Sequence, residues 1–185
     1  MTKLKPLLFF CFCMFATCLF AQEFSNKGKE FWIAYPSHID GTGSVMGLYI
    51  TSEVNTTGTV KVGPTTTLNF TVTANQVTRV FLGSGAGVDA SNSDVYLNMS
   101  DGIKANAAIK VNSNDPVVVY AHIIRSARSG ASLIIPTQVL GAEYIAPNYR
   151  STSSSNPNSG GTVGGVGQIT VIATQDNTTI EITPT

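Results

Sequence analysis

Apolar and polar residues alternate one by one through nearly every ordered-looking stretch of this chain, and that period of two commits it to β structure. Thr67-Leu68-Asn69-Phe70-Thr71-Val72 alternates strictly, which places successive side chains on a wet and a buried face. Val60-Lys61-Val62, Ile109-Lys110-Val111 and Ile180-Glu181-Ile182 do the same over shorter lengths. Phe31 to Tyr35, Leu48 to Thr51, Val77 to Leu82 and Ile169 to Ala173 are β-branched or aromatic runs of strand length. Val117 to Ile124, opened by Pro116, is apolar on both faces and reads as a central strand covered on both sides. Ser132 to Ile135 follows it after a short polar link. Helical period is almost absent: only Thr137 to Tyr144, behind Pro136, has the length for one or two turns, and Gly141 weakens it. About ten short strands separated by turn residues predict an all-β, sandwich-like fold of antiparallel sheets.

The first residues obey a different rule. Lys3 and Lys5 precede an apolar run from Leu7 to Phe20, and Ala21 offers a small residue before Gln22. That order predicts a secretory signal peptide over residues 1–21, cleaved between Ala21 and Gln22; an uncleaved N-terminal anchor is the alternative. Cys11, Cys13 and Cys18 are all the cysteines of the chain, so the mature protein is expected to carry neither disulfide nor thiol chemistry. Export without disulfides fits a bacterial envelope. No later apolar run reaches the ~18 residues of a membrane-spanning helix. Removal of Lys3 and Lys5 leaves a slight acidic excess, and no Lys/Arg cluster offers a surface for nucleic acid. The expected destination is the cell surface or the medium.

Gly83 to Asn92 and Arg150 to Gly167 are Ser-, Gly- and Asn-rich and too polar to order themselves by burial. The second of these divides the mature chain into a domain over 22–150, a loop or linker over 151–167 and a final unit over 168–185. A repeat spans the divide. Leu48-Tyr49-Ile50-Thr51-Ser52-Glu53-Val54-Asn55-Thr56-Thr57, followed by Val60-Lys61-Val62, parallels Thr170-Val171-Ile172-Ala173-Thr174-Gln175-Asp176-Asn177-Thr178-Thr179, followed by Ile180-Glu181-Ile182. Both read as a hairpin turned at Asn-Thr-Thr. On that reading the chain is one full module plus the first hairpin of a second, a fragment of a longer protein. Chance similarity between two Thr-rich hairpins is the alternative.

Residues fit for catalysis are sparse. His38 with Asp40 suggests a metal pair or part of a triad, against a plain loop and turn before Gly41. His122 falls in a strand read as buried, where a histidine bonded to backbone is the ordinary outcome. No Gly-x-Ser-x-Gly elbow occurs. Asp40-Gly41-Thr42-Gly43-Ser44 misses both the aspartic-protease and the dinucleotide spacings. The acids are scattered through turns, which leaves at most a weak calcium site and no pair assignable to glycoside hydrolysis. No catalytic, metal or cofactor-binding residue is assigned. The segment His122 to Arg128 is where polar reach follows an apolar strand. Arg is suited to carboxylates and partner hot spots, so His122, Arg125, Arg128, Tyr149 and Arg150 are the candidate partner-binding residues. Trp32, Tyr35, Tyr49 and Tyr96 are rings able to meet a sugar, although Trp32, between Phe31 and Ile33, fits a core position better.

Asn26-Lys27-Gly28-Lys29-Glu30-Phe31-Trp32, the Asn-Thr-Thr segments, Pro116 to Tyr120, and Leu133-Ile134-Ile135-Pro136 running on to Leu140-Gly141-Ala142-Glu143-Tyr144 occur here in a particular order. In that order they resemble the N-terminal domain of IgGFc-binding proteins in its bacterial form, over most of residues 26–185. The resemblance implies a large secreted protein of Bacteroidetes-like bacteria, in which such domains sit near the N-terminus beside adhesion modules. The family name comes from a mucus protein that binds the Fc part of IgG, and no residue here carries that activity over. Taken together, the expectation is a secreted or cell-surface adhesion or scaffold domain, not an enzyme, that meets a protein or glycan partner and needs no cofactor. A carbohydrate-binding module of a larger secreted protein is the alternative, and a hydrolase using scattered acids is a third reading.

Overall fold

The computed structural model describes residues 25–36, 44–83, 97, 102–125, 128–147, 154–155, 162–163 and 169–183. Seven strands form one antiparallel sheet: β1 (Gly28–Ile33), β2 (Val45–Thr51), β3 (Thr56–Val62), β4 (Thr66–Val72), β5 (Val77–Phe81), β6 (Ile109–Arg125) and β7 (Arg128–Ile134). A short pair, β8 (Ser154–Ser155) with β9 (Thr162–Val163), lies within the Ser/Gly-rich segment. The all-β expectation holds. The helical expectation reduces to one 3-10 turn at Thr137–Val139.

The register shows how the sheet becomes two layers. The first half of β6 lies between β1 and β3, and β4 lies beyond β3. The second half of β6 lies between β7 and β2, and β5 lies beyond β2. β2 and β3 therefore run head to tail along the same flank of β6, as do β5 and β4 one position out. Four long ribbons, three of them broken midway and the fourth the continuous β6, fold over at a shared corner. Phe31, Ile33, Val60, Val62 and Ile109 from one half join Met46, Leu48, Ile50, Val119 and Leu82 from the other in a single buried cluster. That shared cluster requires the two halves to face each other as a sandwich. At roughly 25 cal/mol per Å² of apolar surface removed from water, this cluster is the main stabilising term.

The corner explains the Asn-Thr-Thr motif. The Asn55 Oδ1 accepts from the Ala74 N–H (2.8 Å), the Thr56 Oγ1 from the Asp115 N–H (3.1 Å), and the Thr57 Oγ1 from Asn114 Nδ2 (2.8 Å). The Ser52 hydroxyl donates to the Pro116 carbonyl (2.9 Å). Where ribbons bend, ladder bonds lapse, and short polar side chains satisfy the freed backbone instead. Asn75 takes the left-handed conformation there (φ 61°), and its N–H donates to the Ser52 carbonyl (2.8 Å). The hairpin expected over Leu48 to Val62 is thus corrected: β2 and β3 do not pair with each other. The true hairpin joins β3 to β4 through Gly63-Pro64-Thr65, with Gly63 at φ 63°.

Two further expectations change. Ile109–Val111 and Val117–Ile124 belong to one strand of 17 residues, with Pro116 at the corner, where its missing N–H breaks no ladder bond. The strand is also not covered on both sides: Val117, Val119 and Ala121 are buried, but Tyr120 and Ile124 are exposed. Over 169–183 the chain makes no ladder with any described strand. It turns at Asp176-Asn177 (Asn177 φ 59°), where the Thr178 hydroxyl donates to the Gln175 carbonyl (2.8 Å).

Candidate functional site

The pleat sends alternate residues of each strand outward, so the two layers present two outer faces of different chemistry. On the first layer, Trp32 pairs with Lys110 across β1 and β6, and Lys110 pairs with Lys61 across β6 and β3. The Lys110 Nζ lies 2.7 Å from Glu30 Oε2 and 4.9 Å from the Trp32 ring centroid, and the Trp32 Nε1 donates to Glu30 Oε1 (3.2 Å). The hydrogen bond from Lys110 holds the Glu30 carboxyl below its ordinary range. Trp32 is therefore a half-buried outer-face residue, contrary to the core position expected for it, and the ammonium occupies one side of its ring. Exposed Thr57, Thr67, Asn69 and Thr71 complete a polar surface.

The second layer is different. Arg79, Tyr49, Tyr120 and Leu133 line up across β5, β2, β6 and β7, and Phe81, Gly47, His122 and Ala131 form the adjacent row. Gly47 carries no side chain opposite His122, so the imidazole meets the Tyr49 ring diagonally, edge on, with centroids 5.7 Å apart and planes at 88°. The Arg79 guanidinium sits 5.7 Å from the Phe81 ring centroid. Tyr120 is 43% exposed and Leu133 39% exposed. The result is a continuous aromatic and apolar belt with cationic and imidazole groups interleaved. Two rows over four strands cover about 14 Å by 7 Å at the usual strand and residue spacings. That is a hot-spot centre rather than a full protein interface, which takes roughly 800 Å² per partner.

Of the candidate partner residues, His122 lies in this belt, outward and half-buried rather than in the core. Arg125 pairs with Arg128 at the tip of the β6–β7 hairpin that carries Tyr120 and Leu133. Tyr149 and Arg150 lie outside the described residues, as do residues 1–21 with the Ala21–Gln22 junction, His38, Asp40 and Tyr96. Tyr35 is buried; its hydroxyl donates to the Gly47 carbonyl at 2.7 Å, and desolvation pushes its pKa up. It braces the belt from beneath and cannot touch a ligand. Tyr120 and Phe81 were not singled out from sequence. The signal was the even-numbered set Val118, Tyr120, His122 and Ile124, whose exposure depends on nothing packing over the second layer. Among the described residues, no three His, Cys, Asp or Glu side chains gather where a metal would need them, and no helix is long and apolar enough to cross a membrane.

No curated protein matches the sequence. A solved structure described as "Crystal Structure of Thermotoga maritima 1070" aligns with 60% of this chain and 95% of its own, at 11% identity and a TM-score of 0.35. Residues 130–185 match the family described as IgGFc binding protein. The matched stretch contains Leu133 to Tyr144 and the second Asn-Thr-Thr segment, so the family that the order of motifs resembles is the family this part of the chain matches.

Proposed function

We propose that this chain is a non-catalytic binding domain that works in adhesion or scaffolding at the cell surface or in the medium, and that it meets its partner through the outer face of β5, β2, β6 and β7. The observation that carries the reading is the outward belt of half-buried Tyr49 and His122 with exposed Tyr120 and Leu133. Aromatic side chains supply large contact area at low entropic cost, and Tyr is among the residues enriched at binding hot spots. The match to a family named for binding a protein supports the same class. Arg125 and Arg128, paired at the end of the β6–β7 ladder, and Tyr149 and Arg150 are the further residues assigned to partner contact, for the carboxylate and hot-spot chemistry that Arg and Tyr supply. Residues 1–21 direct export and are removed before Gln22, which N-terminal sequencing of the secreted product checks.

The belt also favours a second reading, a carbohydrate-binding module, because Tyr49 and Tyr120 lie side by side on a flat face. Trp32 is the poorer platform, since Lys110 already occupies its ring. One experiment addresses both readings. The purified chain is presented to an IgG Fc fragment, to mucin glycoprotein and to a glycan array, alongside Tyr120→Ala and His122→Ala. Loss of a hot spot lowers affinity at least about tenfold while melting stays within ~2 °C of the parent. Binding to any of these probes that is indifferent to both substitutions refutes the site, and glycan-only binding selects the second reading.

A further inference from the structure

Among the described residues, the strand pattern at 169–183 forms no ladder with the sandwich, and no strand pairs with the outer edge of β4, where the Thr78 hydroxyl donates to the Thr71 carbonyl (2.8 Å). β4 and β5 end the sheet on one side. The opposite edge at β1 is closed: the Thr137 hydroxyl donates to the Glu30 carbonyl (3.1 Å) and Gln138 Nε2 to the Lys27 carbonyl (3.2 Å). Natural edges are commonly blunted by Lys, Pro or a bulge. β4, Thr-Thr-Leu-Asn-Phe-Thr-Val, carries none of these and pairs with β3 over seven unbroken positions.

The segment that repeats the β2–β3 sequence matches this edge in chemistry. β3 meets β4 with Thr57 opposite Thr71, and Thr179 is the counterpart of Thr57 in the repeat. With Thr179 placed opposite Thr71 on the outer edge and the strands antiparallel, Ile180 falls opposite Phe70, Glu181 opposite Asn69 and Ile182 opposite Leu68. Phe70 faces the core and Leu68 is half-buried against it, whereas Asn69 is exposed. The pairing would therefore extend the inner apolar face with Ile180 and Ile182, now 49% and 62% exposed, and put Glu181 in water. A one-residue slip would reverse every side chain.

We infer that residues 178–183 of one copy of this chain add as an antiparallel strand to the outer edge of β4 in a second copy, giving a dimer by reciprocal strand exchange. A second copy is the occupant because within one chain this segment forms no ladder with β4, while the repeat makes it a mimic of the strand that already pairs there. Such addition satisfies main-chain groups on both partners, with register set by the alternating side chains. The inference does not depend on the aromatic belt, which lies on a face and not on this edge.

The test uses the full chain with Cys11, Cys13 and Cys18 changed to Ser. Light scattering with size exclusion is expected to show concentration-dependent dimers. Ile180→Pro removes a ladder donor from a segment that supports no strand in the monomer, so dimerisation should weaken at least about tenfold with the melting point of the sandwich unchanged. Mixed Thr71→Cys and Thr179→Cys chains should cross-link to each other on mild oxidation, because directly opposed strand residues lie within disulfide reach. A monomer at every concentration up to about 100 µM overturns the inference. So does a dimer indifferent to Ile180→Pro, or a Thr71→Cys/Thr179→Cys double variant that bridges only within single chains.

Discussion

Gly58 offers a sharp test of how the two layers pack. It lies on β3 directly opposite Phe70 on β4 and Ser113 on β6. An added Cβ would fall onto Cζ and Cε1 of the Phe70 ring and onto the Asn112 carbonyl oxygen. The ring has swung over the bare backbone of Gly58, where it is 5% exposed. In Gly58→Ala the ring can rotate away only into neighbours already packed, and the carbonyl can yield only by shifting β6. Overpacking of this kind costs about 1–3 kcal/mol, and full expulsion of the ring would approach the roughly 3–5 kcal/mol of a Phe→Ala change. Loss of glycine freedom in the unfolded chain returns about 0.4–1 kcal/mol. A net destabilisation of about 2 kcal/mol lowers the melting temperature of a domain this size by roughly 6–10 °C. The assay is thermal unfolding followed by circular dichroism, repeated in a double-mutant cycle with Phe70→Ala. The cycle should be non-additive by at least about 1 kcal/mol, because the new methyl occupies space that Phe70→Ala vacates. A shift under about 2 °C for Gly58→Ala, together with strict additivity, would refute the stacking of Phe70 on Gly58 and the β3–β4 register with it.

Tyr35→Phe removes the donor to the Gly47 carbonyl, and a cost of about 1–2 kcal/mol is expected in denaturant unfolding. Burial raises the Tyr35 pKa above its ordinary 10.0, so the folded state holds a neutral phenol and the stability it contributes is complete below that pH. As pH climbs past 10 the unfolded chain ionises first, and the parent should lose stability that Tyr35→Phe does not lose; parallel curves would contradict this. Glu30 carries the opposite sign. Its pKa lies below the ordinary 4.5, so its pairing with Lys110 stabilises above that pH and fades as pH falls through the lowered value. Both side chains remain partly in water, which keeps the effect under about 1 kcal/mol. Melting of Glu30→Gln should trail the parent at pH 7 and converge with it in acid, and a gap that persists in acid would assign the effect to packing.

How much of this was legible in the sequence differs by element. Strand identity was local and readable, because period-two alternation from Thr67 to Val72 and from Ile109 to Val111 places one side chain in oil and the next in water whatever the partner. The resemblance to the IgGFc-binding family was readable too, since the order of short motifs survives without geometry, and residues 130–185 match that family. The Asn-Thr-Thr motif was legible as polar punctuation but not as a corner, because its bonding partners, Ala74, Asn114 and Asp115, are distant in sequence. His122 was found for its chemistry and misplaced in its environment.

What the chain alone determined is that its strands would be antiparallel and amphipathic. Which strands would neighbour one another, and which faces would stay uncovered, belonged to the tertiary structure. An alternating strand states that one side must be buried but not against what, and an apolar residue such as Tyr120 looks the same whether another layer covers it or water does. Only the fold-over at the corner, where four ribbons bend together, decided that the odd-numbered side of β6 became core and the even-numbered side became surface.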